Sequence, residues 1–368
     1  MCAVNRVQLG DLLDYEQPTR YIVSSTDYDD AYDTPVLTAG QTFILGYTNE
    51  TEGIYKAGKS NPVIIFDDFV TSFYLVDFNF KVKSSALKIL KPKKNVNIYY
   101  VYYAMLGINF VPKEHARHWI SKYSQFEIAY PSLAKQQEIV SQLDTFTTLI
   151  YSLESELDMR RKQYEHYRNQ LLDFEGVEGV EWKETKDICI KICSGGTPLT
   201  SNQDYYNGTI PWLRTQEVDW GYVYDTKIKI TREAINNSSA KMIPADCVII
   251  AMYGATAAKC CINKIPLSTN QACCNLEVNN ELALYKFVYY WFCKEYAKLK
   301  AMGEGSQNNI SGNKIKGYLI PVPPKQTQQQ IVEKLDAFEQ LIQSLETEIK
   351  LRKQQYEYYR EKLLTFEK

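Results

Sequence analysis

Histidine is scarce in this chain of 368 residues: only His115, His118 and His166 occur, and none belongs to an H-E-x-x-H pair. That removes the commonest zinc-hydrolase signature. Nine cysteines are present, yet no C-x-x-C occurs. Cys260-Cys261 and Cys273-Cys274 therefore read as reduced, mostly buried thiols rather than zinc ligands, and no metal is expected. No glycine-rich dinucleotide loop is found, nor the Asn/Asp-Pro-Pro-Tyr/Phe of an amino-methyltransferase. No unbroken apolar run of about 18 residues exists and nothing resembles a signal peptide, so a soluble, cytoplasmic protein without membrane contact is the expectation. Net positive charge is lacking too: the formal charge is −2, which by itself speaks against nucleic acid.

One phosphate-binding pattern is present but misplaced. Gly53-Ile54-Tyr55-Lys56-Ala57-Gly58-Lys59-Ser60 matches G-x-x-x-x-G-K-[ST] letter for letter. A working P-loop leaves a buried strand and opens a helix. Here polar Asn49–Glu52 precedes it, and Asn61-Pro62 follows into strand-like Val63-Ile64-Ile65-Phe66. A hairpin or loop is the better reading, and the chain reads as a binder rather than a catalyst.

What the chain does have is an internal repeat. The segment starting at Pro131 recurs from Pro323 at a constant shift of 192, with about 24 of 45 aligned positions identical. In the first copy Leu143, Phe146, Ile150, Leu153, Leu157, Arg160, Tyr164, Tyr167, Leu171 and Phe174 step by three and four. In the second, Leu335, Phe338, Ile342, Leu345, Ile349, Arg352, Tyr356, Tyr359, Leu363 and Phe366 do the same. This is a heptad seam, and about 40 such residues make a helix of roughly 60 Å. Two matching seams in one chain are expected to pack on each other; two helices on separate cores is the alternative. Antiparallel packing would relate the halves by a pseudo-twofold axis. Arg160 and Arg352 would then lie mid-seam, with Glu156, Glu165, Glu348 or Glu357 to compensate them, unless both stems snorkel to solvent.

The segments before each helix diverge but keep order. Asp11 and Asp187, Val63-Ile64-Ile65 and Val248-Ile249-Ile250, and Val101-Tyr102-Tyr103 and Val288-Tyr289-Tyr290 pair at slowly growing offsets. They suggest two copies of one α/β-type (α+β) domain with rewritten loops, each long enough for its own core. Charge is unevenly spread. Lys81, Lys83, Lys88, Lys91, Lys93, Lys94 and Lys113 fall in a stretch free of acids up to that last lysine. Such a run is either a phosphate-binding face or a solvated one.

At this level the chain resembles the specificity subunits of type I DNA restriction-modification enzymes. Gly208-Thr209-Ile210-Pro211-Trp212-Leu213, Ser268-Thr269-Asn270-Gln271-Ala272-Cys273 and Ser306-Gln307-Asn308-Asn309-Ile310-Ser311 before Ile320-Pro321-Val322-Pro323-Pro324 are similar to segments of that family. So are the Gln-Gln-x-Ile-Val starts at Gln136 and Gln328. The first half departs, carrying Phe66-Asp67-Asp68-Phe69 and Lys81-Val82-Lys83-Ser84-Ser85 instead.

The resemblance implies target-recognition domains at 1–130 and 184–320, conserved coiled-coil helices at 131–175 and 321–368, and a linker at 176–183. Each domain would read one half of a split double-stranded DNA target. Half-sites one helical turn apart lie about 34–36 Å from centre to centre, a span such a coil could bridge. Two modification (methyltransferase) subunits would dock on the helices, with exposed Tyr151 and Tyr358 as candidate contacts. Two restriction subunits would complete the assembly. S-adenosylmethionine, ATP and Mg would belong to those partners, none to this chain. Base-readout chemistry then selects Lys81, Lys83, Ser84 and Lys88 in the first domain, and Arg214, Thr215, Asn270, Gln271, Gln307 and Asn308 in the second. Core or turn hydrogen bonding is the competing role for Asn270 and Gln271. A coiled-coil scaffold that binds proteins and no DNA remains the rival reading.

Overall fold

The computed structural model describes residues 4–39, 42–304 and 309–366. Two compact units emerge: Met1–Ser155 with Thr347–Lys368, and Glu156–Glu346. Each contains a stretch of both long helices, Leu133–Leu171 (the central helix) and Lys325–Leu364 (the C-terminal helix). These start and stop inside the expected 131–175 and 321–368. Pro131 and Pro323–Pro324 bar earlier helix, and Gln136 Nε2 and Gln328 Nε2 hydrogen-bond back to the Pro131 and Pro323 carbonyls at 2.9 and 2.8 Å.

The strands of the first unit are β1 (Arg6–Gln8), β2 (Leu13–Glu16), β3 (Thr34–Leu37), β4 (Ile44–Thr48), β5 (Val63–Asp67), β6 (Phe73–Val76), β7 (Lys81–Val82), β8 (Leu87–Pro92) and β9 (Glu127–Ala129). β2-β8-β5-β6 form one antiparallel sheet, β4-β3-β7 a smaller one, and β1 pairs with β9. β5 reads as an unbroken apolar run because both its faces are covered. Ile64 and Phe66 pack against the helix Ile98–Met105 and the start of the central helix, through Val101, Tyr103 and Leu143. Val63 and Ile65 face the small sheet, through Leu37 and Val82.

The second unit contains β10 (Glu181–Glu184), β11 (Cys189–Ser194), β12 (Ile210–Leu213), β13 (Tyr222–Val223), β14 (Lys229–Ile230), β15 (Met242–Ile243), β16 (Val248–Ala251), β17 (Cys260–Asn263), β18 (Leu267–Thr269), β19 (Cys273–Val278) and β20 (Leu319–Val322). Its main sheet is β11-β19-β16-β17-β13, its second β14-β12-β18-β15, and β10 pairs with β20. β10 starts within the expected linker, so the connection is shorter than 176–183. Val248 and Ile250 pack on the helix Tyr285–Lys294, while Ile249 and Ala251 face the second sheet through Leu213 and Leu267.

The duplication is legible in hydrogen bonds. Tyr103 donates to Asp144 of the central helix at 2.5 Å, and Tyr290 donates to Asp336 of the C-terminal helix at 2.7 Å. Both donors come from the Val-Tyr-Tyr segments, and both acceptors stand at the 192-residue shift.

In each unit the two long helices run antiparallel. In the first, Phe146 stacks on Tyr359 with ring centroids 5.3 Å apart, and Glu154 pairs with Lys353 at 2.6 Å. In the second, Arg161 meets Glu346 at 2.6 Å, and Tyr164 donates to Glu339 at 3.1 Å. Burial pushes the Glu339 carboxyl above its ordinary range, against hydrogen bonds from Tyr164 and Tyr290. All the seam residues are buried or half-buried except Tyr167, which is just exposed. Phe174 and Phe366 lie beyond the helix ends. Each seam arginine is paired along its own helix, Arg160 with Glu156 at 3.4 Å and Arg352 with Glu348 at 2.8 Å.

Candidate nucleic-acid interface

Reading a base edge needs donors or acceptors that the fold leaves open at a rim, held by backbone that cannot drift. The small sheets supply such a rim in each unit. β3 runs parallel to β7 and β12 parallel to β18, whereas nearly every other strand pair is antiparallel. The residues just past these pairs are Lys83-Ser84 and Asn270-Gln271. Lys83 N donates to the Leu37 carbonyl at 2.8 Å and Asn270 N to the Leu213 carbonyl at 2.9 Å. Two segments with no sequence likeness thus occupy the same structural position.

Two further loops adjoin that turn in each unit. The hairpin tip after β5 joins it where Asp68 N bonds the Ala86 carbonyl at 3.0 Å; the tip after β16 joins where Met252 N bonds the Ala272 carbonyl at 2.8 Å. The loop that leaves each domain joins the same tips, through His118 N to the Asp68 carbonyl and Ile310 N to the Met252 carbonyl, both at 2.8 Å. Turn, hairpin tip and exit loop therefore converge twice in one chain.

At the second rim Gln271 is exposed and its Oε1 accepts from Thr197 Oγ1. Asn270 is half-buried and accepts from the Cys273 thiol at 3.2 Å. Arg214, half-buried, is 3.4 Å from Glu217. Thr215 is buried, and its carbonyl accepts from Thr256 Oγ1 at 2.7 Å. Gln307 and Asn308 lie outside the described residues; Glu304 and Asn309 pair across them.

In the first unit the expectation needs correction at Lys81 and Lys88. The Lys81 side chain is 4% exposed, 2.6 Å from Glu50, and it donates to the Glu52 carbonyl at 2.6 Å. The contact from Lys81 to Glu50 is the main reason the Glu50 carboxyl sits below its ordinary range. The Lys88 side chain is 1% exposed and 3.1 Å from Asp68, itself fully buried. Both ammonium groups are consumed internally and cannot meet DNA. Lys91 and Lys93 also find acids, Glu16 and Asp14. Four of the seven lysines of the acid-free run are thus paired with acids that folding brings to them. Lys83 remains half-buried with its Nζ 3.3 Å from the Tyr28 hydroxyl, and Ser84 Oγ accepts from Ala86 N at 3.3 Å.

The residues that reading of the sequence passed over are Gly195, Gly196 and Thr197 at the second rim, and His115 and Arg117 at the first; Asp68 and Phe69 were noted as part of a segment but given no role. A Cβ on Gly195 would overlap the Thr269 and Asn270 carbonyls, and one on Gly196 would overlap Ser239 and Ala240. These glycines let β11's continuation lie directly on the Asn270-Gln271 turn; Gly196 N donates to the Thr269 carbonyl at 2.8 Å. The Gly-Gly-Thr-Pro run was the available signal.

The P-loop look-alike is a loop. Gly53 has φ +62, Tyr55 bridges to Phe80, Asn61 N closes a turn onto the Gly58 carbonyl, and no helix follows. Lys59→Ala is expected to leave assembly and DNA selection unchanged; a loss of either, together with nucleotide binding by the wild type in equilibrium dialysis, would overturn that. Burial pushes the thiols of Cys247, Cys261 and Cys274 up to about 12, so they stay protonated at neutral pH. No helix among the described residues is long and apolar enough to cross a membrane.

The family model of the type I restriction modification DNA specificity domain matches this chain twice, at residues 3–158 and 178–352. The chain belongs to the type I restriction-modification specificity family. It is 43% identical to the EcoR124I/EcoR124II type I restriction enzyme specificity subunit of Escherichia coli, over 99% of this chain and 95% of that protein. A putative type I restriction enzyme specificity subunit of Haemophilus influenzae is 28% identical over 89% of the chain and 86% of its own length. Among solved structures, the type I restriction-modification S subunit from M. genitalium aligns with a TM-score of 0.66 at 16% identity, covering 100% of this chain and 98% of that one. That last likeness concerns the fold: two specificity domains, each followed by a long helix.

Proposed function

We propose that this chain is the sequence-specific DNA-recognition subunit of a type I restriction-modification complex, and not itself an enzyme. Each unit reads one half of a bipartite double-stranded target, and the long helices set the spacer and dock two methyltransferase subunits. Two restriction/translocase subunits complete the assembly. The observation that carries this reading is the twofold recurrence of one rim, with turn, hairpin tip and exit loop, whose side chains differ completely. A shared frame with divergent tips is what reading two different half-sites requires.

The chain needs no cofactor of its own; S-adenosylmethionine, ATP and Mg serve the partner subunits. Exposed Tyr151 and Tyr358 on the helices are suited to contacts with the methyltransferase subunits. The site of action is the cytoplasm, where the target DNA lies.

Co-expression with the neighbouring methyltransferase gene, followed by long-read mapping of N6-methyladenine, tests the reading. One split motif with a modified adenine in each half and a constant gap is expected. A stable complex that methylates no defined motif would favour a protein-binding scaffold instead.

A further inference from the structure

The exit loop of the first unit carries Arg117, whose guanidinium makes no hydrogen bond among the described residues and only loose contacts with Asp68 and Phe69. His118 N and Ile310 N make the same hydrogen bond to their hairpin tips, so Arg117 stands where Asn309 stands in the second unit, next to the residues singled out there as base readers. The Arg117 guanidinium is 48% exposed and lies 3.9 Å from Asp68 Oδ2, too far for a hydrogen bond. Asp68 is engaged by others: Oδ1 accepts from Trp119 N at 2.8 Å, and Oδ2, which makes no hydrogen bond, is ion-paired with Lys88 at 3.1 Å. Two cations on one carboxylate leave an excess positive charge, and Lys88 is buried, so the open charge is that of Arg117. Its guanidinium lies 5.8 Å from the Phe69 ring, and His115 stacks on Phe69 at 4.7 Å. A guanidinium steered by a buried acid and flanked by an aromatic ring keeps its donors free for the paired acceptors of a guanine edge.

We propose that Arg117 is a base-reading side chain of the first unit and that Asp68 positions it. This rests on the DNA-recognition function proposed above. The test uses the complex assembled with its methyltransferase subunits. Once the wild-type split motif is mapped, binding is measured to duplexes carrying every single base-pair change in both halves, at several salt concentrations, for wild type, Arg117→Ala, Arg117→Lys and Asp68→Asn.

Arg117→Ala should weaken binding to the intact target about 10- to 100-fold, the discrimination carried by one bidentate contact. It should abolish preference at one base pair of one half-site and leave the other half-site's profile untouched. Arg117→Lys should not restore that preference, because an ammonium cannot reproduce the fork. Asp68→Asn should blunt preference at the same base pair, and so should the double variant Lys88→Met with Asp68→Asn, which leaves no buried charge unpaired; a purely structural role for Asp68 would instead spread the loss over the whole half-site. Thermal unfolding of Arg117→Ala should match wild type. A loss spread evenly over all duplexes, with the salt dependence reduced by about one phosphate contact, would overturn the proposal, as would an unchanged profile. Failure of the wild type to select any split motif would instead sink the function itself, and it is seen before any variant is made.

Discussion

Replacing Lys88 by methionine is expected to destabilise the first unit by about 3–5 kcal/mol, the cost of stranding one member of a buried ion pair. The Asp68 carboxylate is fully buried and would keep only Trp119 N and the distant Arg117 as partners. The measurement is hydrogen exchange, followed by mass spectrometry, of peptides spanning β5 and the Trp119 turn. Protection there should fall by two to four decades, since each 1.4 kcal/mol is about tenfold. Peptides of the second unit serve as the internal reference. The double variant Lys88→Met with Asp68→Asn should be more stable than Lys88→Met alone, because an amide still accepts from Trp119 N and carries no charge. Unchanged protection in Lys88→Met, combined with weaker and less salt-sensitive DNA binding, would return Lys88 to the interface where its sequence neighbourhood had placed it.

Gly195→Ala should produce the second large effect, confined to the other half-site. The added Cβ has no free volume: it would overlap the Thr269 and Asn270 carbonyls, which are backbone and cannot rotate away. Overpacking of this kind costs about 1–3 kcal/mol, taken up here by displacing the turn that carries Asn270 and Gln271. Discrimination in the second half-site should fall roughly 5- to 150-fold on the scale of about 1.4 kcal/mol per decade, while the first half-site keeps its profile. Methylation mapping of the variant complex reads both at once. Equal loss in both halves would show that the substitution acts on folding as a whole and not on the reading turn.

The parts of this protein that were legible in its sequence are those set by local periodicity. The helices follow from three-four spacing with Gly and Pro excluded after the entry. β5 and β16 follow from short apolar runs, because a strand covered on both faces has no polar alternation to lose. The 192-residue shift announced the duplication, and the Tyr103–Asp144 and Tyr290–Asp336 bonds are its structural counterpart. Lys83-Ser84 and Asn270-Gln271 were separately singled out by chemistry, and the structure brings them to equivalent turns.

Charge was where the sequence misled. Lys81 and Lys88 sit in an acid-free stretch, but Glu50 and Asp68 reach them across the fold, and ion pairing has no sequence period. Arg117 carried no signal for the same reason: its meaning depends on an acid 49 residues earlier that another lysine has already claimed. The sequence by itself determined the duplication, the antiparallel-compatible seams and the family, because helical spacing and repeat identity are properties of neighbours along the chain. Only the tertiary structure decided which polar groups stay open at the rims, because desolvation and pairing depend on residues that approach from far away in sequence.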